Sequence, residues 1–64
     1  MTVTIKQEHI NNNYIEISQD KFSSVYKVTL SHTYDGQLYR IDKQGIYSTL
    51  KAAQRRFNDL KKGL

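Results

Sequence analysis

Val3 and Ile5 alternate with Thr2, Thr4 and Lys6, the two-residue period of a half-buried strand. Asn11-Asn12-Asn13 interrupts the pattern. Asparagine bonds its own backbone and tolerates left-handed φ/ψ, so a turn is expected there. Alternation resumes through Tyr14-Ile15-Glu16-Ile17, and the polar stretch over residues 18–21 reads as a second turn. The longest alternating run follows. Phe22, Ser24, Tyr26, Val28, Leu30 and His32 fall on one face, and Ser23, Val25, Lys27, Thr29, Ser31 and Thr33 on the other.

Tyr34-Asp35-Gly36-Gln37 comes next. Asp-Gly between two alternating runs predicts a hairpin, because a type I′ turn needs positive φ at both central residues. With Asp35 and Gly36 as the loop, counting back sets Leu30 opposite Ile41, His32 opposite Tyr39, Thr29 opposite Asp42 and Ser31 opposite Arg40. Both strands then place their apolar residues on one side. Gly45 is expected to end the second of them. Beyond it the period changes. Leu50, Ala53, Phe57, Leu60 and Leu64 recur at helical spacing and cover about 80° of one helix face. Thr49, or Ser48, is the expected N-cap. The elements read β-β-β-β-α, with the first strand the shortest signal. The fold class is α+β: a three- or four-stranded antiparallel meander with one C-terminal helix on one face, in a single small domain over residues 1–64.

Charge separates this helix from the rest. Up to residue 48, Lys6, Lys21, Lys27, Arg40 and Lys43 are balanced by Glu8, Glu16, Asp20, Asp35 and Asp42. Residues 49–64 hold Lys51, Arg55, Arg56, Lys61 and Lys62 against Asp59 alone, so the formal net charge of +4 lies in this segment. With the apolar stripe turned to the sheet, Lys51, Arg55, Asn58 and Lys62 fall within about 60° of one another on the opposite side. Arg56 and Lys61 flank the buried stripe. Such a face can track phosphates, each neutralised phosphate releasing counterions. The commoner reading of such a face on a small domain is a solvated one that keeps the chain soluble, since moderate charge is not diagnostic. The outer sheet face, with Lys27, Thr29, Ser31, Thr33, Leu38, Arg40 and Asp42, is a second candidate surface, since a two-stranded ribbon fits a DNA major groove. Tyr26, Tyr39 and Tyr47 are expected at the core. Tyr34, beside the turn, is expected exposed, where it can stack on a base.

At 64 residues the chain is near the lower limit for folding alone, and it has no cysteine to staple it or to complete a thiolate metal site. The lack of cysteine is compatible with a reducing cytosol, and a cytoplasmic location is expected. No run of eighteen apolar residues exists, so no membrane span is expected. The start, MTVTIKQEHI, lacks the basic and apolar regions of a secretory signal. His9 and His32 are the only histidines, without metal-ligand spacing. No serine sits in G-x-S-x-G, the glycines are dispersed, and the carboxylates form no dyad. No cofactor, no metal and no catalysis is expected.

The stretch YKVTLSHTYDGQLYRIDKQGIYSTLKAAQRRF, residues 26–57, resembles the small amino-terminal arm-type DNA-binding domain of phage and transposon tyrosine integrases, and the similar AP2-like modules. The likeness rests on a long strand, an Asp-Gly hairpin and a second strand. A glycine then leads into Tyr47-x-Thr49-x-x-x-Ala53 at the helix start. It covers about half the chain. The resemblance implies a three-stranded sheet with a helix on one face, and an exposed sheet face entering the major groove. Contacts would then fall on Lys27, Thr29, Ser31, Arg40 and Lys43. Where family strands are basic, this face is close to neutral and the charge has moved to the helix. The chain is expected to act as a stand-alone module. Small chains of this look also resemble accessory proteins of phages and mobile elements, many of which bind a host or phage protein.

The expected function is a non-catalytic binding module for nucleic acid. Lys51, Arg55, Arg56 and Lys62 would contact phosphates, with the Lys27–Arg40 sheet face as a second surface. The alternative is a protein-interaction module or a homodimer, with a strand edge near residues 2–6 or 14–18 open to strand addition.

Overall fold

The computed structural model describes residues 2–34 and 37–64, with the side chains of residues 3–33 and 41–64. Four strands, β1 (Thr2–Ile10), β2 (Asn13–Asp20), β3 (Tyr26–Tyr34) and β4 (Gln37–Tyr47), precede one helix, α1 (Leu50–Lys62). The strands form one antiparallel sheet in the order β1-β2-β3-β4. The helix packs on one face of this meander. The architecture is the expected α+β one, with four strands. No described helix is long and apolar enough to cross a membrane.

The core lies over the middle of the sheet. Ile15 and Ile17 from β2, Val28 and Leu30 from β3, and Ala53, Phe57 and Leu60 from α1 are buried together. Ile15 opposes Leu30 and Ile17 opposes Val28 across the ladder, which builds an aliphatic floor for the helix. Tyr26 and Tyr47, opposite one another, pack against its margin, as do Leu50 and Leu64.

Asn11 and Asn12 form the β1–β2 turn, both with positive φ (47° and 65°), as asparagine permits. The next connection departs from expectation. β2 runs on to Asp20, and β3 begins only at Tyr26, not at Phe22. Asp20 Oδ1 accepts from the Phe22 amide (3.0 Å), the Asp20 carbonyl from Ser23 (3.1 Å) and Ser23 Oγ from Val25 (3.3 Å). These local bonds divert the backbone from a ladder, and Phe22 is left 87% exposed.

The β3–β4 register also needs correcting. Tyr34 opposes Gln37 and Thr33 opposes Leu38, the pairing a two-residue loop gives; Asp35 and Gly36 themselves lie outside the described residues. Two irregularities follow. Arg40 opposes His32, Ile41 opposes Ser31, Lys43 opposes Leu30 and Gln44 opposes Thr29. Tyr39 and Asp42 are the extra residues, each advancing the register by one. Ile41, expected beneath the helix, is therefore 58% exposed on the outer face, and Lys43 takes the place beside Leu30. Gly45 does not end β4. It opposes Val28 inside the strand, and a Cβ there would meet the Tyr47 ring and hydroxyl at 2.9–3.2 Å, so its bare backbone is where the Tyr47 side chain rests. The expected core place of Tyr39 and the expected exposure of Tyr34 concern side chains outside the described residues.

Candidate nucleic-acid interface

Capping fixes where the helix starts and ends. Thr49 is extended (φ −131°, ψ 150°), and its Oγ1 accepts from the Ala52 amide at 3.2 Å. At the other end the Gly63 amide returns to the Leu60 carbonyl (3.2 Å) and the Leu64 amide to the Lys61 carbonyl (3.2 Å). Lys61 and Lys62 occupy the last turn, where the helix dipole favours cations. With Ala53, Phe57 and Leu60 buried, the helical period turns Lys51, Arg55, Asn58 and Lys62 outward, and all four are exposed. Lys51 and Lys62 stand about 16 Å apart along the axis at the helical rise. Among the described residues, none of Lys51, Arg55 and Lys62 makes an ion pair.

The flanking cations are placed differently. Lys61 leans to the β1 side, where its Nζ donates to Glu8 Oε1 (3.1 Å) and lies 3.0 Å from Oε2. On the same side Lys6 Nζ sits 4.8 Å from the centroid of the buried Phe57 ring. Arg56 leans to the β4 side. It walls an open cleft of about 550 Å³ at the C-terminal end of the helix, together with Lys43, His32, Asp42, Asp59 and Asn13. His32 Nε2 lies 3.6 Å from Asp42 Oδ2 there, an ion pair when the imidazole is protonated. Asn13 Nδ2 donates to the Asn11 carbonyl (3.0 Å), while its buried Oδ1 has no partner among the described residues.

The outer sheet face differs from expectation in composition. Lys27, Thr29, Ser31 and Thr33 share it, and Lys27 is exposed between Ser18 and Ile46. Asp42 does not share it, because it meets His32 on the helix side, so it does not balance Lys27. The Arg40 and Leu38 side chains lie outside the described residues; the ladder sets Arg40 opposite His32. Much of the polar surface is already bonded across strands. Thr4 Oγ1 donates to Glu16, the Tyr14 hydroxyl donates to Gln7 Oε1, and His9 Nε2 pairs with Thr33 Oγ1 at 2.8 Å. Burial first, and the neighbouring Glu16 carboxylate second, hold the Tyr14 hydroxyl above its ordinary pKa.

The structure thus brings Lys51, Arg55 and Lys62 together, sets Arg56 aside in the cleft, and leaves Lys27 on the opposite side of the molecule. The Lys6–Phe57 and Glu8–Lys61 contacts were missed at the sequence level. Their one signal was that Lys6 and Glu8, two residues apart, must share a strand face. Among the described residues no group of three or more His, Cys, Asp or Glu is assembled to hold a metal. Comparison with protein-family models, with curated proteins and with solved structures gave no match.

Proposed function

We propose that this chain is a non-catalytic nucleic-acid-binding module whose contact surface is the outward face of α1. One observation carries the reading: Lys51, Arg55 and Lys62 project from one exposed face without a described carboxylate partner, while Lys61 is paired with Glu8. Cations that are not neutralised within the molecule are available to phosphates, and the line they form is long enough to meet more than one. Lysine and arginine contacts to phosphate carry no sequence information, so the binding expected of this face is sequence-independent. In this reading the likeness to arm-type integrase domains extends to the sheet-and-helix unit, while the contact face has passed from sheet to helix.

Fluorescence anisotropy with duplex DNA, single-stranded DNA and RNA at two salt concentrations tests the proposal. Three contacts on duplex DNA give a log–log salt slope of roughly −2.7. Changing Lys51, Arg55 and Lys62 to Gln together should flatten that slope and weaken binding by about tenfold or more at moderate salt. Unchanged affinity in the triple variant removes the helix face from consideration.

A second reading, a protein-interaction module, is favoured by Ile41 and Ile46, which are 58% and 66% exposed on the uncovered sheet face. Of the two strand edges expected to recruit a partner, residues 14–18 are no free edge while β1 is in place, because β2 is then paired on both sides. Residues 2–6 lie on a true edge strand. An apolar or strand-edge interface would respond weakly to salt, which separates the two readings.

A further inference from the structure

β1 is held from outside the core. None of its described side chains is buried, and Val3 and Ile5 are 52% and 38% exposed. Its attachments are the ladder to β2, Lys6 over Phe57 and Glu8 on Lys61 on the helix side, and the Thr4–Glu16, Gln7–Tyr14 and His9–Thr33 bonds on the other. Each of these joins β1 to an atom elsewhere in the fold. An identical strand from another chain would make all of them. Among the described residues the buried core draws on β2, β3 and α1, and β1 contributes no buried side chain to it.

The connection to β2 is the second observation. It is a tight turn in which Asn11 and Asn12 are both left-handed, a conformation asparagine tolerates better than other side chains but still at some cost relative to glycine. Opening releases the 2.8 Å bond from the Thr33 amide to the Asn12 carbonyl and lets both asparagines relax to extended backbone. Short hinges held in unfavourable backbone regions promote exchange of the element they tether.

We infer that two copies of this chain exchange β1. Each opens at Asn11–Asn12 and lays residues 2–10 along the β2 edge of the other. Complementarity of charge commits the slot to a second copy. The edge of β2 is flanked by the Phe57 face and the Lys61 ammonium, and β1 presents Lys6 and Glu8 two residues apart to meet them. The exchanged form is favoured as chain concentration rises.

Gln7 and Glu16 face one another across the β1–β2 ladder, which supplies the test. A Gln7→Cys, Glu16→Cys variant is refolded at high and at low chain concentration and oxidised. The expected result is a disulfide-linked species of twice the chain mass on a denaturing, non-reducing gel at high concentration, and an intrachain link at low. An intrachain link alone at both concentrations overturns the exchange. Gln7→Cys by itself should give no linked dimer; a linked dimer from it would show edge-to-edge contact of two β1 strands and would equally overturn it. A cysteine-free Asn12→Gly chain relaxes the closed turn, and its dimer fraction by light scattering should fall by roughly threefold to tenfold relative to the natural sequence. An unchanged or larger dimer fraction also counts against the exchange.

Discussion

Thr49 shows what one hydroxyl decides. Its Oγ1 takes up the Ala52 amide, which otherwise lacks a partner in the first turn. The first turn has no acidic residue, so this bond is the main satisfaction the N-terminus receives from a side chain. Thr49→Ala should lower stability by about 1 kcal/mol in chemical denaturation, whereas Thr49→Ser should retain most of it. Tyr14 supports a prediction about pH. Its phenol donates to Gln7 and lies near Glu16, and both its burial and that carboxylate resist ionisation. The folded pKa therefore stands above the unfolded one. The stabilisation is complete below the unfolded value, about 10, and is lost as pH rises through the folded value. Alkaline loss of stability is a property of the whole chain, so the comparison must be with a variant. Tyr14→Phe should lose stability less steeply than the natural chain above pH ~10. Parallel curves would show that Tyr14 contributes nothing to the alkaline transition.

At the scale of elements, the sequence conveyed face and type better than register. The helix was legible because its buried residues keep one period throughout, and its cap was a threonine in the expected place. The Lys51–Arg55–Lys62 stripe follows from that period alone, which is why it was found. The β3–β4 pairing was not legible. Two extra residues, Tyr39 and Asp42, shift the register by one each. A double shift restores the in–out alternation, so no pattern of apolar residues reports it. Gly45 misled for a related reason: glycine marks strand ends, but here it accommodates the Tyr47 ring within a strand. The pairing of Lys61 with Glu8 and the placing of Arg56 in the cleft depend on which strand lies beneath which side of the helix. That is a tertiary fact with no local signature.

The molecule is a thin slab, 33 × 25 × 15 Å, with one sheet, one helix and an apolar layer between them. The layer is confined to the middle, since β2, β3 and α1 supply all of its buried residues among those described. The side chains of β1 add contacts that are exposed or half-exposed: an ion pair worth no more than about 1 kcal/mol and a cation–π contact of similar size. Local opening should therefore begin at β1 and leave the rest folded. In an antiparallel sheet, successive amides of a strand point to opposite neighbours. Along β2 those directed at β1 should exchange with solvent through this partial opening, and those directed at β3 only through global unfolding. Hydrogen exchange followed by NMR at low chain concentration should then show protection that alternates residue by residue between Asn13 and Ile17, before the irregularity opposite Thr4 and Lys6. Helix amides near Phe57 should fall with the slow set, because that ring is fully buried against β2 and β3. Uniform protection along β2 would mean that β1 and the core open together, and the charged contacts at the margin would then be tied to the interior far more firmly than their exposure implies.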